Sequence, residues 1–155
     1  MKLDAWSFSL RLACNPRPFQ VLGSGVDGED FLVLNQNSAG TWALNGKDNP
    51  AAKGSAIVIY LTGGGTLSPT TANGTVIAAP ASPALPPTTA ATASVTVDGK
   101  PCAALYSGAV DGSIAGLVQV NCTLDSTLTK KDAAALVVTY SGQASQSGVT
   151  IAVKE

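Results

Sequence analysis

The chain has 155 residues and a formal net charge of −1, with nine basic and ten acidic side chains and no histidine. A length near that of one ordinary domain implies one main hydrophobic core, and so little positive charge excludes nucleic-acid binding through a basic field. The missing histidine removes Ser-His-Asp and Cys-His catalysis and the usual histidine-bearing zinc sites, so no catalytic residue, cofactor or metal is assigned.

Hydrophobic residues make up 45% and charged residues 12% of the chain, which is the reverse of a disordered composition. No apolar run reaches the ~18 residues of a membrane span. Asp4 and Arg11 break the start of the chain, which does not read as a secretory signal peptide.

Residues 5–12 alternate, with Trp6, Phe8, Leu10 and Leu12 on one parity and Ser7, Ser9 and Arg11 on the other. Period two predicts a strand with one wet face. Pro16 and Pro18 end it, because neither can donate to a ladder. After a turn cluster at 23–28, residues 31–34 predict a strand and 40–44 a second short one. Asn45-Gly46 is a hairpin-type signal, but Lys47-Asp48-Asn49-Pro50 behind it points to a longer loop.

Residues 55–62 form the strongest strand: Ile57, Val58, Ile59, Tyr60 and Leu61 are apolar on both faces, as in the centre of a sandwich. Gly63-Gly64-Gly65 closes it. The stretch 54–97 carries no Asp, Glu, Lys or Arg, and five of the nine prolines fall within 66–93. That density forbids a helix and favours an extended connection between sheets, with a brief edge strand at 74–78. Further strands are predicted at 93–97, 102–106, 117–124, 135–140 and 149–153, and one helical turn within 126–134. Seven or more short strands at this spacing predict an antiparallel β-sandwich of about seven to nine strands.

Pairing 102–106 with 117–124 about Gly112 sets Cys102 opposite Cys122, Ala104 opposite Val120 and Tyr106 opposite Val118, all on one face. Two cysteines so placed either form a disulfide or stay buried as two thiols; the remaining cysteine is Cys14.

Asp27, Glu29 and Asp30 form the acidic cluster of the chain. They read as a solvated turn, with a calcium loop or a hydrolase carboxylate pair as lesser readings. Gly63-Gly64-Gly65 lacks the lysine and helix of a phosphate loop. Trp42, in a short strand near Gly40, is the candidate for ligand contact by sugar stacking. Asn73-Gly74-Thr75 and Asn121-Cys122-Thr123 match a glycosylation pattern, a motif short enough to occur by accident.

Several separated motifs occur together: Asn49-Pro50-Ala51-Ala52-Lys53-Gly54-Ser55, Tyr60-Leu61-Thr62-Gly63-Gly64-Gly65 and Val95-Thr96-Val97-Asp98-Gly99-Lys100-Pro101. They are followed by Leu105-Tyr106-Ser107-Gly108-Ala109, Ala115-Gly116-Leu117-Val118-Gln119-Val120-Asn121 and Ser147-Gly148-Val149-Thr150-Ile151-Ala152-Val153. In their order and spacing, from about residue 18 to 155, they resemble the Solibacter-type C-terminal domain family of acidobacterial exported proteins. The chain departs from that family at Arg17-Pro18-Phe19-Gln20 and in lacking the half that normally precedes the match. The resemblance implies the second, immunoglobulin-like half of such a protein, with a secreted or cell-surface location, and carries no catalytic residues to transfer.

The expectation is therefore a single β-sandwich domain, with residues 1–16 as an N-terminal strand and lead-in and 17–155 as the family-like region. Its expected role is a non-catalytic structural or interaction module whose partners are other protein modules or a cell-surface polymer. A carbohydrate-binding module is the first alternative, and a hydrolase using Asp27, Glu29 and Asp30 the second.

Overall fold

β-Branched and small residues dominate the long apolar runs of this chain, and strands form from nearly all of them. The computed structural model describes residues 20–21, 33–72, 74–80 and 84–155, all strands, turns and loops, with no helix among the described residues. In chain order the strands are β1 (Gln20–Val21), β2 (Val33–Gln36), β3 (Trp42–Leu44), β4 (Ala51–Ala52), β5 (Ala56–Thr62), β6 (Leu67–Ser68) and β7 (Thr88–Thr89). They continue with β8 (Ala93–Val97), β9 (Lys100–Ala109), β10 (Leu117–Thr123), β11 (Lys131–Tyr140), β12 (Gln143–Ala144) and β13 (Thr150–Lys154).

Hydrogen bonding runs continuously in the order β3-β2-β5-β10-β9-β8-β11-β13-β4. The sheet curls into a sandwich-like half-barrel because β9 serves both layers. Its first residues pair with β8, Val95 opposite Cys102, and its later ones with β10, Val118 opposite Ala109. A long strand that bends is a common way to turn the corner between packed sheets. Among the described residues all strand pairings are antiparallel except β13 with β4, where Val153 lies opposite Ala51.

The apolar run of 55–62 becomes β5, with β10 along one edge and β1 and β2 on the other. Ile57, Ile59 and Leu61 point into the core with Val118, Val120, Cys122, Val95, Val97, Leu136, Val138 and Ile151. Burying one such side chain contributes about 1.5–3 kcal/mol, so this shared interior is the main source of stability. A second, small cluster of Leu67, Ile77, Ala109 and Ala115 lies beneath the proline-rich segment.

That segment crosses from β5 in the first layer to β8 in the second, as expected. It is held by β6–β7 pairing, by Thr88 opposite Gly108 of β9, and by a bridge between Val76 and Ile114. The bridge stands where residues 74–78 predict an edge strand. The helical turn expected within 126–134 is absent. Asp125 accepts hydrogen bonds there from the Thr127 backbone N–H and hydroxyl at 2.6 and 2.5 Å, closing a turn that leads straight into β11. The strand predicted at 5–12, Cys14, and the Asp27, Glu29 and Asp30 cluster lie outside the described residues. So does Asn73.

The hairpin register needs correction. Tyr106 lies opposite Asn121 rather than Val118, and Ala104 opposite Cys122 rather than Val120. The tip of the β9–β10 hairpin is not centred on Gly112 but further along, and the register shifts again between Asn121 and Cys122. Leu105 is the extra residue at that shift and is left exposed, as a bulge residue is. The first offset, an odd number of residues, moves Tyr106 off the core face. Cys102 and Cys122 nevertheless form a disulfide, with a Cα–Cα distance of 5.5 Å. It runs diagonally, on the far side of the bulge from Tyr106, because Cys122 lies opposite Ala104 and not Cys102.

Candidate functional site

Alternation places Val118, Val120 and Cys122 of β10 in the core, so Gln119 and Asn121 stand on the outer face. Register fixes their neighbours: Gln119 lies opposite Tyr60 and Gly108, and Asn121 opposite Val58 and Tyr106. A cleft of about 270 Å³ opens at this point, lined by Leu85, Pro86, Tyr106, Val110, Asp111, Gln119 and Asn121, with Ala109 at its base. Leu85 and Pro86 belong to the proline-rich segment. The backbone bond from Ala109 N–H to the Pro87 carbonyl, 2.8 Å, holds that wall against β9.

The polar groups of the cleft are partly pre-set. Gln119 Nε2 donates to Asn121 Oδ1 at 2.7 Å, which turns the Asn121 Nδ2 donors and the Gln119 Oε1 acceptor away from each other. The Tyr106 hydroxyl donates to the Ala109 carbonyl at 2.9 Å, fixing the ring as a wall. Burial pushes the Tyr106 phenol above its ordinary value, and the nearby Asp111 carboxylate pushes it the same way. The phenol therefore stays protonated beside a single carboxylate.

Gly108 makes this arrangement possible. A Cβ there would stand 2.6 Å from the Pro87 carbonyl oxygen and collide with the Tyr106 hydroxyl. The ring lies across the bare backbone of Gly108.

Trp42 lies elsewhere on the same outer face. It is 46% exposed on β3, opposite Gln36. With strands ~4.8 Å apart, three strand steps put it roughly 15 Å from Asn121. Leu44, next on the same side of β3, is also exposed. Trp42 is thus exposed but does not line the cleft. Asn121, the acceptor of one glycosylation-like motif, sits mid-strand with its carbonyl engaged by Gln119, not in an open loop.

Two other polar groupings serve the fold. Asn45 Nδ2 donates to Asn35 Oδ1 and to the Ala152 carbonyl, both at 2.9 Å, and Asn45 Oδ1 accepts from Ala152 N–H at 2.7 Å. One side-chain amide thus imitates a strand and latches the β2–β3 edge to β13. Thr89, Ser107 and Tyr140 form a hydroxyl chain, 2.7 and 2.5 Å, joining β7, β9 and β11. Burial raises the Tyr140 phenol, with the Ser107 and Thr89 hydrogen bonds acting in the opposite sense.

No three metal-ligating side chains converge among the described residues, and among them no helix is long and apolar enough to cross a membrane. Comparisons with family models, with curated proteins and with solved structures find no match. Function must therefore be argued from these residues. The pairing expected about Gly112 hides the cleft, because it sets Tyr106 on the same face as Val118 and the cysteines. The signal that finds it is the Gln119-Val120-Asn121 alternation, which sets two amides side by side on an exposed face.

Proposed function

We propose that this chain is a non-catalytic structural or interaction module of an exported bacterial protein, acting at or outside the cell surface. The observation that carries this reading is β3, the end strand of the sheet among the described residues. Edge strands are ordinarily protected by charge, proline or a cover. Trp42-Ala43-Leu44 has no charged residue or proline, yet both large side chains are exposed. On a strand of only three residues, such a pair suits side-chain contact with a partner.

The buried Cys102–Cys122 bond supports export, since structural disulfides persist in oxidising compartments. The motif resemblance supports the same location. The test is sedimentation of the purified chain with isolated acidobacterial cell envelopes. The expected result is a bound fraction reduced in Leu44→Lys and Trp42→Ala with the melting temperature kept. Release of cleaved envelope polymer, or no binding at all, refutes the reading.

A further inference from the structure

We infer that the cleft between β9, β10 and the proline-rich segment binds one unit of a neutral saccharide, free or within a polymer. This rests on the reading of the chain as a non-catalytic module and supplies that module's ligand class. A volume of about 270 Å³ falls below the ~300–1,000 Å³ of drug-sized sites. One sugar ring is the appropriate scale.

The lining separates the candidate ligands. Asp111 is the charged side chain of the cleft, so phosphate, sulfate and carboxylate ligands meet repulsion with no compensating cation. A purely apolar ligand would strip water from the Asn121 donors and Gln119 acceptor without replacing their hydrogen bonds, which is costly. A sugar answers both conditions. Its hydroxyls accept from Asn121 Nδ2 and donate to Gln119 Oε1 and to the Asp111 carboxylate, while its C–H face covers the Tyr106 ring and Leu85.

Pre-organisation strengthens the case. The 2.7 Å bond between Gln119 and Asn121 and the anchoring of Tyr106 on Ala109 fix amides and ring before any ligand arrives. That lowers the ordering cost of binding.

The test is affinity electrophoresis of the full chain in gels cast with xylan, galactomannan, mixed-linkage glucan or dextran, with thermal melts as the control on folding. The proposal expects retardation by at least one polymer. Gln119→Ala and Asp111→Asn should each weaken it tenfold or more, while Trp42→Ala migrates as the parent does. Asn121→Ala is added where its melt matches the parent.

No retardation by any of the four polymers overturns the proposal. Loss in Trp42→Ala with Gln119→Ala and Asp111→Asn unaffected also overturns it, by moving the site to β3. So does competition by tetramethylammonium, which would make the cleft a cation site built on Tyr106 and Asp111. Retardation with release of reducing ends supports the cleft and overturns the non-catalytic reading. Envelope binding without retardation rejects the cleft alone.

Discussion

Asn45 joins the β2–β3 edge to β13 through three hydrogen bonds of one side chain. Its amide satisfies both backbone groups of Ala152 and one oxygen of the fully buried Asn35, and among the described residues no buried side-chain polar atom lacks a partner. Removing it in Asn45→Ala leaves buried groups unpaired at about 1–3 kcal/mol each, so chemical denaturation should report a loss of about 3 kcal/mol. Asn45→Asp should be no better, because a carboxylate there faces Asn35 Oδ1 and the Ala152 carbonyl with no donor to offer. Gly108→Ala forces apart Tyr106 and the Pro87 carbonyl; overpacking of this kind costs about 1–3 kcal/mol, and the near-ultraviolet tyrosine signal should change with it. Tyr140 supplies a pH test with a definite sign. Its folded value is raised above 10.0, so above pH 10 the unfolded chain releases a proton that the folded chain holds. Stability is full below that pH and falls as the pH rises toward the raised value. Tyr140→Phe should lower the neutral-pH melting temperature, by loss of the Ser107 bond, and flatten the alkaline decline. An unchanged alkaline slope would assign the decline to Tyr106, whose phenol is raised as well.

Among the elements, the β9–β10 hairpin shows both what a sequence can tell and where it stops. Strand existence follows from alternation and from β-branched content, and the Cys102–Cys122 contact follows from approximate pairing. The register does not, because it depends on how many residues the loop 110–116 takes up and on a bulge that isolates Leu105. Neither leaves a mark in hydrophobic periodicity, and the consequence was large: a three-residue slip turns Tyr106 from core residue into cleft wall. Two other hairpins, neither expected from the hydrophobic pattern, carry a turn signal in their residues. Asp98-Gly99 and Ser141-Gly142 all take positive φ, as the two central residues of a type I′ turn require, and the flanking pairs are Val97 with Lys100 and Tyr140 with Gln143. The disulfide closes a loop of sequence separation 20, for which chain entropy gives about 3 kcal/mol. Cys102→Ala/Cys122→Ala should therefore melt roughly 6–12 °C lower in a domain of this size. Thiol titration of the denatured chain should find one of its three cysteines before reduction and all three after it.

At the scale of the molecule, two layers meet at two unlike seams. One is covalent and apolar: β9 runs through both layers and the disulfide fastens it at the corner. The other is polar and local: the Asn45 latch and the short parallel pairing of β4 with β13. The layered architecture could be read from strand number and spacing, but the second seam could not, since one asparagine in a loop joins residues 107 positions apart. Charge takes little part in either seam. The ion pair between Lys131 and Asp98, 2.6 Å, is exposed, and such pairs contribute about 0–1 kcal/mol. The two seams should consequently open at different free energies. Amide hydrogen exchange is expected to be slowest in β5, β10 and β11, whose alternate residues fill the core, and faster in β2 and β3. In Asn45→Ala the amides of Asn35 and Ala43, paired across β2 and β3, should exchange at least tenfold faster while those of Val120 and Val138 keep their relative protection. Reduction of the disulfide should do the opposite, speeding exchange at Val120 and its β9 partners. If both changes instead accelerate every strand equally, the half-barrel opens in one step and the two seams belong to a single cooperative unit.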